Sequence, residues 1–333
     1  MRPNAYITIL LILVSFALYA DPKDRQERMS SICGEDTRSP VEGYPVARVY
    51  DSKSGNAICT AWLAPNGYFV TAGHCTAGFY TFDELQFHVP PSSCDGYIKL
   101  PAAKDRFKVD LDSIRFNVDL ENSEDWAIFR LRNDAALPEL FRNGHFFRIS
   151  NRTVSRSNPE EFLNVGFGVE MRSFDGCKSR YRTMLMGKGE GYSTDGYLIH
   201  FADTHMGNSG SPLFQKLNEI LYAYGTHRGG GCPNVATKVL NPGFLEALSD
   251  APGKGSLYVD ARGPDSGEST GKINAPDRSL SRSLQRAKNG ATINVAPGDY
   301  SEDTFSIPAK SLRIRAPFGG FSIKIAKEGI EKP

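Results

Sequence analysis

Gly207–Pro212 reads GNSGSP, and the fold and chemistry of the chain turn on those six residues. Glycines on both sides of Ser209 permit a tight turn that exposes the hydroxyl and aims successive backbone N–H groups at one point. Pro212 and an apolar stretch follow at once, so the turn leads into a β-strand. A Gly-Ser turn alone is ordinary, but two upstream segments give this one a meaning. TAGHC at Thr71–Cys75 places His74 at the end of the apolar run Tyr68–Ala72, and SEDWAIFRL at Ser123–Leu131 places Asp125 directly before another. A hydroxyl is a poor nucleophile until a base takes its proton, and the base needs an acceptor behind it to fix its tautomer. Ser209 as nucleophile, His74 as base and Asp125 as orienting carboxylate fill those roles. The N–H groups of Gly207 and Ser209 would then face the oxyanion of the tetrahedral intermediate. Asp119 and Glu124 lie near enough to compete for the acid role, but Trp126–Phe129 bury the strand end that carries Asp125. Cys59 stands 16 residues before Cys75; a hairpin returns it there, and a Cys59–Cys75 disulfide is expected to pin the His74 loop.

Around these segments run short β-prone stretches bounded by turn residues: Val46–Tyr50, Ile58–Leu63, Tyr68–Ala72, Trp126–Leu131, Leu163–Phe167, Tyr197–Ala202, Pro212–Phe214 and Ile220–Thr226. Such spacing, with one helical pattern at Asn241–Leu248, predicts an all-β barrel or sandwich over residues 45–252. Residues 253–272 sit in a Gly/Ser/Asp/Pro-rich stretch and read as a linker. In residues 273–333, Leu280, Leu284 and Ala287 mark a short helix before two alternating, strand-like stretches.

The bulk properties narrow the function classes. An apolar run of about 13 residues, Ile7–Tyr19, follows Arg2 and precedes DPKDRQER. It is too short to span a bilayer and suits a signal peptide over residues 1–20, cut after Ala17 or Ala20. Residues 21–44 read as a leader or N-terminal arm, and the mature chain as secreted or periplasmic, with no membrane partner after cleavage. Six cysteines in an exported chain predict disulfides, and neither CxxC nor HExxH is present, so no metal is expected. Beyond residue 20 acidic and basic residues balance, which argues against nucleic acid as a partner. No phosphate-cradling motif appears, and no cofactor is expected.

CTAWLAPNGYFVTAGHC, DWAIFRL, NVGFGVE, DTHMGNSGSPLF and the closing helix resemble the chymotrypsin/trypsin superfamily of serine endopeptidases, across roughly residues 45–250. Within it the chain looks most similar to the bacterial branch that includes glutamyl endopeptidases, whose nucleophile motif is likewise GNSGSP. The resemblance implies a chymotrypsin-like double β-barrel with a short C-terminal helix, a cleft between the barrels, and hydrolysis of protein or peptide substrates through an acyl-enzyme. Animal trypsins carry Asp before the nucleophile and pair it with a new N-terminal amine; here Asn208 stands there and cannot form that ion pair. For the specificity pocket the resemblance gives two opposed assignments. Asp203, six residues before Ser209, matches a pocket-floor aspartate that selects Lys or Arg. His227, 18 residues after Ser209 and followed by Gly230 in the Gly229–Gly231 run, matches a histidine that binds an acidic substrate side chain. If both line the pocket they are expected to pair. The same resemblance places Cys177 beside Cys232, which leaves Cys33 for Cys94.

Residues from Tyr258 to Ile325 resemble the opening of a right-handed parallel β-helix of the pectate-lyase-like type, which implies a small appendage or one that binds a surface or carbohydrate. Two alternatives stand beside an endopeptidase with acidic preference. One is a catalytically idle protease-like binding or adhesion protein; the other is a protease with basic preference.

Overall fold

The computed structural model describes residues 31–76, 81–132, 145–170, 172–173, 176–300, 311–319 and 321–322. The expected signal segment, 1–20, lies outside the described residues, as does the arm before Ser31. A short strand β1 (Ser39–Pro40) precedes two barrels. The first is built from β2 (Val46–Asp51), β3 (Asn56–Leu63), β4 (Phe69–Thr71), β5 (Glu84–Gln86), β6 (Arg106–Asp119) and β7 (Glu124–Leu131). These strands close in the order β2-β3-β4-β7-β6-β5. Then come β8 (Phe147–Ile149), β9 (Glu160–Gly166), β10 (Leu185–Ser193), β11 (Tyr197–His200), β12 (Pro212–Leu217), β13 (Ile220–Gly230) and β14 (Asn234–Lys238). The order β10-β11-β14-β13-β12-β9, with β9 also paired to β10, closes a second six-stranded barrel. Closure removes the exposed edges that would otherwise invite pairing with another chain. The fold is the expected all-β double barrel.

Alternation along the strands fills each interior. The first barrel holds Phe69, Phe82, Phe87, Phe107 and Phe129, all buried. The rings of Phe82 and Phe129 lie 5.2 Å apart, and those of Phe87 and Phe107 5.5 Å. A second apolar cluster takes Trp62, Val70 and Ile128 from the first barrel and Phe147, Val165 and Phe214 from the second. Trp62 meets Phe147 edge-on at 5.7 Å. Helix α1 (Pro242–Asp250) drives Phe244 and Leu248 into this cluster. Its start is set by Asn241, whose side chain accepts from the Phe244 N–H, with Pro242 in the first turn. Each such ring or branched side chain contributes about 1.5–3 kcal/mol on burial, so the barrels are held at a fixed separation.

The C-terminal segment forms a three-stranded parallel sheet of β15 (Leu257–Val259), β16 (Thr292–Val295) and β18 (Arg313–Arg315). A second parallel pair joins β17 (Gly298–Asp299) to β19 (Phe321–Ser322). Helix α2 (Leu280–Arg286), capped by the Ser279 side chain, lays Leu280 and Leu284 against Val259 and Ile293. Residues 253–272, expected as a linker, carry β15 and bury Tyr258 in the inter-barrel cluster. The docking is specific: the Phe146 and Phe318 rings stack at 4.8 Å, and Asn274 donates to Asn151 Oδ1 at 2.7 Å. Arg148 Nε donates to Asp260 Oδ2 at 2.6 Å, with both side chains 7% exposed.

Removing one partner of that buried pair leaves the other charge uncompensated. Asp260→Ala should lower stability by about 3–5 kcal/mol, read from the urea midpoint of tryptophan fluorescence. An unchanged midpoint would mean that the C-terminal segment does not dock on the barrels.

Candidate active site

His74 lies in a 3-10 turn, Gly73–Cys75, at the end of β4. The turn can sit against β6 and β7 because residue 73 is glycine: a Cβ there would meet Asn117 O at 2.3 Å and Trp126 N at 2.9 Å. Asp125 on β7 is thereby brought behind the histidine. The His74 N–H donates to Asp125 Oδ1 at 2.8 Å, and His74 Nδ1 lies 2.7 Å from Asp125 Oδ2. The Asp125 side chain is 2% exposed and that of His74 30%, so the carboxylate is sealed while the ring reaches the surface. The neighbouring acids have other partners. Glu124 accepts from Asn117 Nδ2 and Trp126 Nε1, and Asp119 accepts from Asn122. The Cys59–Cys75 disulfide closes the loop behind His74 as expected. Cys59, His74 and Cys75 form a cluster of metal-ligating residue types, but its two sulfurs are bonded to each other.

The Ser209 turn belongs to the second barrel and is fastened to the first. The Thr60 N–H on β3 donates to Ser209 O at 2.9 Å, and Thr60 Oγ1 donates to Gly207 O at 2.9 Å. On the other side the Gly210 N–H donates to His227 O at 2.7 Å. Gly207 and Gly210 have φ of +96° and +86°. A Cβ on Gly210 would lie 2.2 Å from Thr60 O, so both conformation and space require glycine. Among the described residues neither the Gly207 nor the Ser209 N–H donates to another protein group. His74, Ser209 and Gly207 line one cleft of about 760 Å³, together with Cys59, Tyr97 and Arg182. Asn208 points inward, where its Nδ2 donates to Asn164 Oδ1 at 3.0 Å. Asn208 is thus held by an amide pair within the second barrel.

The residues expected in the specificity pocket fall differently: Asp203, His227 and Gly230 are not among those lining the cleft of His74 and Ser209. Asp203 does not pair with His227: its carboxylate accepts from the Cys33 N–H at 2.8 Å, the Thr37 N–H at 2.9 Å and Thr37 Oγ1 at 2.7 Å. Those three bonds hold the N-terminal arm. His227 instead lies against His200 of β11, with Nδ1 3.2 Å from His200 Nε2. His200 is fully buried and His227 2% exposed. Burial pushes His200 down to about 3. Burial, with His200 and His74 nearby, holds His227 well below the usual histidine range. Both rings are neutral at pH 7, and one proton lies between them. When His200 donates it, His227 carries its own proton on Nε2 and remains a donor. Gly230 stands at the exposed outer end of β13, opposite Asn234 of β14. His200 falls within the β-prone run Tyr197–Ala202, and a histidine inside a buried strand is the one signal of it in the sequence.

The other two disulfides are exchanged relative to expectation. Cys33 pairs with Cys232, and Cys94 with Cys177. Asp203 draws the arm to the end of β13, which puts Cys33 beside Cys232. Cys177 lies beside the loop after Pro91, where the Ser92 N–H donates to Ser179 O and the Lys178 N–H to Cys94 O, each at 2.9 Å.

The sequence profile described as Trypsin matches residues 32–245, more than half of the chain. The chain belongs to the trypsin family. As a member of the trypsin family it is a serine-type endopeptidase, a hydrolase of peptide bonds. Among curated proteins no match is found. Among solved structures, a Glu endopeptidase in complex with MPD is similar at 18% identity, covering 66% of this chain and 98% of the other with a TM-score of 0.49. Neuropsin, a serine protease expressed in the limbic system of mouse brain, is similar at 18% identity, covering 61% and 93% with a TM-score of 0.44.

Two outcomes follow from the site of this trypsin-family enzyme. Peptide mapping without reduction should recover Cys33–Cys232, Cys59–Cys75 and Cys94–Cys177; a Cys177–Cys232 peptide would contradict the structure. The buried histidines also make stability depend on pH. The unfolded chain protonates them below about pH 6.5, whereas the fold keeps them neutral. Their contribution is therefore complete above pH 6.5 and is lost as pH falls below it, for His200 down to about 3, with a slope approaching about 1.4 kcal/mol per pH unit for each. Urea midpoints measured between pH 7 and 5 should fall in the wild type and fall less in His200→Gln. Equal slopes in both would contradict a neutral pair.

Proposed function

We propose that the chain is a secreted serine endopeptidase that cleaves after acidic residues, with Ser209 as nucleophile, His74 as general base and Asp125 as the carboxylate that orients it. The observation that carries the reading is the doubly bonded, buried Asp125 behind a His74 ring that shares one cleft with Ser209. With its Nδ1 proton held by Asp125, His74 presents Nε2 as the acceptor for the Ser209 proton. Attack of Ser209 Oγ on a peptide carbonyl makes a tetrahedral oxyanion, which the Gly207 and Ser209 N–H groups stabilise. His74 then returns the proton to the leaving amine, and water repeats the sequence on the acyl-enzyme. Three disulfides fit an oxidising compartment.

The acidic preference concerns the residue preceding the scissile bond (P1). With His200 donating to its Nδ1, a neutral His227 carries its proton on Nε2 and donates it to a substrate carboxylate, and the arriving anion raises its proton affinity. Asp203, the residue that would select Lys or Arg, is occupied by the arm. The C-terminal sheet serves as a structural appendage, docked through Arg148–Asp260 and Phe146–Phe318.

A peptide-library cleavage profile tests both parts. Glu substrates should exceed Lys or Arg ones, and His227→Ala should reduce that selectivity by at least roughly tenfold, the worth of a charged hydrogen bond of ~1.5–3 kcal/mol. Efficient cleavage after Arg by the wild type would end the acidic reading and leave the endopeptidase intact. Ser209→Ala or His74→Ala should lower kcat by about 10⁶-fold, by analogy with subtilisin. Asp125→Asn, which favours the wrong tautomer of His74, should cost about 10⁴-fold. Near-normal turnover in Asp125→Asn would dismiss the assigned roles.

A further inference from the structure

Two donors converge on one carbonyl at the edge of the cleft. Met206 O accepts from the Val169 N–H at 2.8 Å and from Arg182 Nη1 at 3.0 Å. That carbonyl belongs to the peptide unit whose N–H is the Gly207 donor. A trans peptide is planar, so its C=O and N–H point in opposite directions, and fixing one fixes the other. The unit needs fixing, because Gly207 is free to rotate about φ and the peptide before it can turn over. We infer that Arg182 is a positioning residue for the oxyanion hole: with Val169 it clamps the Met206 carbonyl and so aims the Gly207 N–H at the reacting carbonyl. The inference rests on the reading of Ser209 as nucleophile.

The guanidinium lies directly over the turn. A Cβ built on Gly207 would fall 1.5 Å from Arg182 Nη1, so glycine at 207 and arginine at 182 are fitted to each other. Arg182 is itself held in place by two other segments. Its backbone has φ of +53°, a conformation that L side chains rarely adopt. Its carbonyl accepts from Arg48 Nη1 at 3.1 Å, and Arg48 is anchored by Gln86 Oε1 and Lys99 O. The preceding carbonyl, Tyr181 O, accepts from Ser92 Oγ at 2.6 Å, and Cys94–Cys177 ties the same loops covalently. Arg182 adds a charged donor to the neutral N–H of Val169, and the same Nη1 lies 3.5 Å from Phe167 O.

The test compares wild type with Arg182→Ala, Arg182→Gln and Arg182→Lys at matched thermal midpoints, on a preferred peptide substrate and a peptide aldehyde. The aldehyde adds to the serine and forms an oxyanion; the substrate's KM reports ground-state binding. Losing a direct oxyanion donor costs about 10²–10³ in kcat, and a misdirected one should cost about 10–100-fold. Arg182→Ala should therefore lose kcat and aldehyde affinity in parallel, with KM nearly unchanged. Gln and Lys, which keep a donor, should recover part of both. An active wild type matched by Arg182→Ala in kcat and aldehyde affinity would overturn the clamp alone. A loss confined to KM would overturn it too, by assigning Arg182 to substrate binding. A wild type that neither turns over nor binds aldehyde would remove the hydrolytic reading and this inference together.

Discussion

The bond from the Thr60 N–H to Ser209 O ties the turn of the proposed nucleophile, in the second barrel, to the first. Neither barrel holds a complete site. The first supplies His74 and Asp125; the second supplies the turn with Ser209 and the two backbone N–H groups. The turn, whose two glycines leave it with little conformational preference, is held from its own barrel by Gly210 N–H to His227 O and by Asn208 to Asn164. Thr60 fastens it to the first barrel with its N–H and its hydroxyl, and Thr71 Oγ1 in turn donates to Thr60 O. The apolar cluster of Trp62, Phe147, Phe214 and Phe244 keeps the barrels at the separation these bonds require.

Much of this was legible in sequence because the informative features are local. His74, Asp125 and Ser209 each sit in a tripeptide or strand end whose residue types carry the signal, and the eight expected strands are all present. Two long strands escaped the reading for identifiable reasons. β6 changes register between Asp110 and Arg115, so its alternation shifts midway and leaves Leu111, Phe116 and Val118 exposed. β10 carries Gly187, Gly189 and Gly191 on alternate positions, which read as turn residues. In the fold they allow backbone to pass close by: a Cβ at 187 would lie 2.4 Å from Asp203 O and one at 189 2.4 Å from Phe201 C.

Long-range pairings were less legible. Cys33–Cys232 spans 199 residues and depends on the arm reaching Asp203, which only the assembled second barrel presents. That arm explains why the residue matching a basic-specificity aspartate does other work here. The arm also brings a buried Arg38, which donates to Val169 O at 2.9 Å and pairs with Asp36. Its guanidinium holds the segment whose N–H in turn holds Met206 O. The His200–His227 pair is the corresponding surprise inside the second barrel: two buried rings kept neutral by burial, of which sequence offers only one as a candidate.

The claim on which the rest depends is that one serine, among the many in the chain, is made nucleophilic by its place between the barrels. It is tested most directly by reacting the folded, disulfide-bonded protein with a fluorophosphonate and locating the adduct by peptide mass spectrometry. A single adduct is expected, on Ser209, absent from the His74→Ala protein and after unfolding. An adduct on another serine, or one on Ser209 that persists without His74, would contradict it.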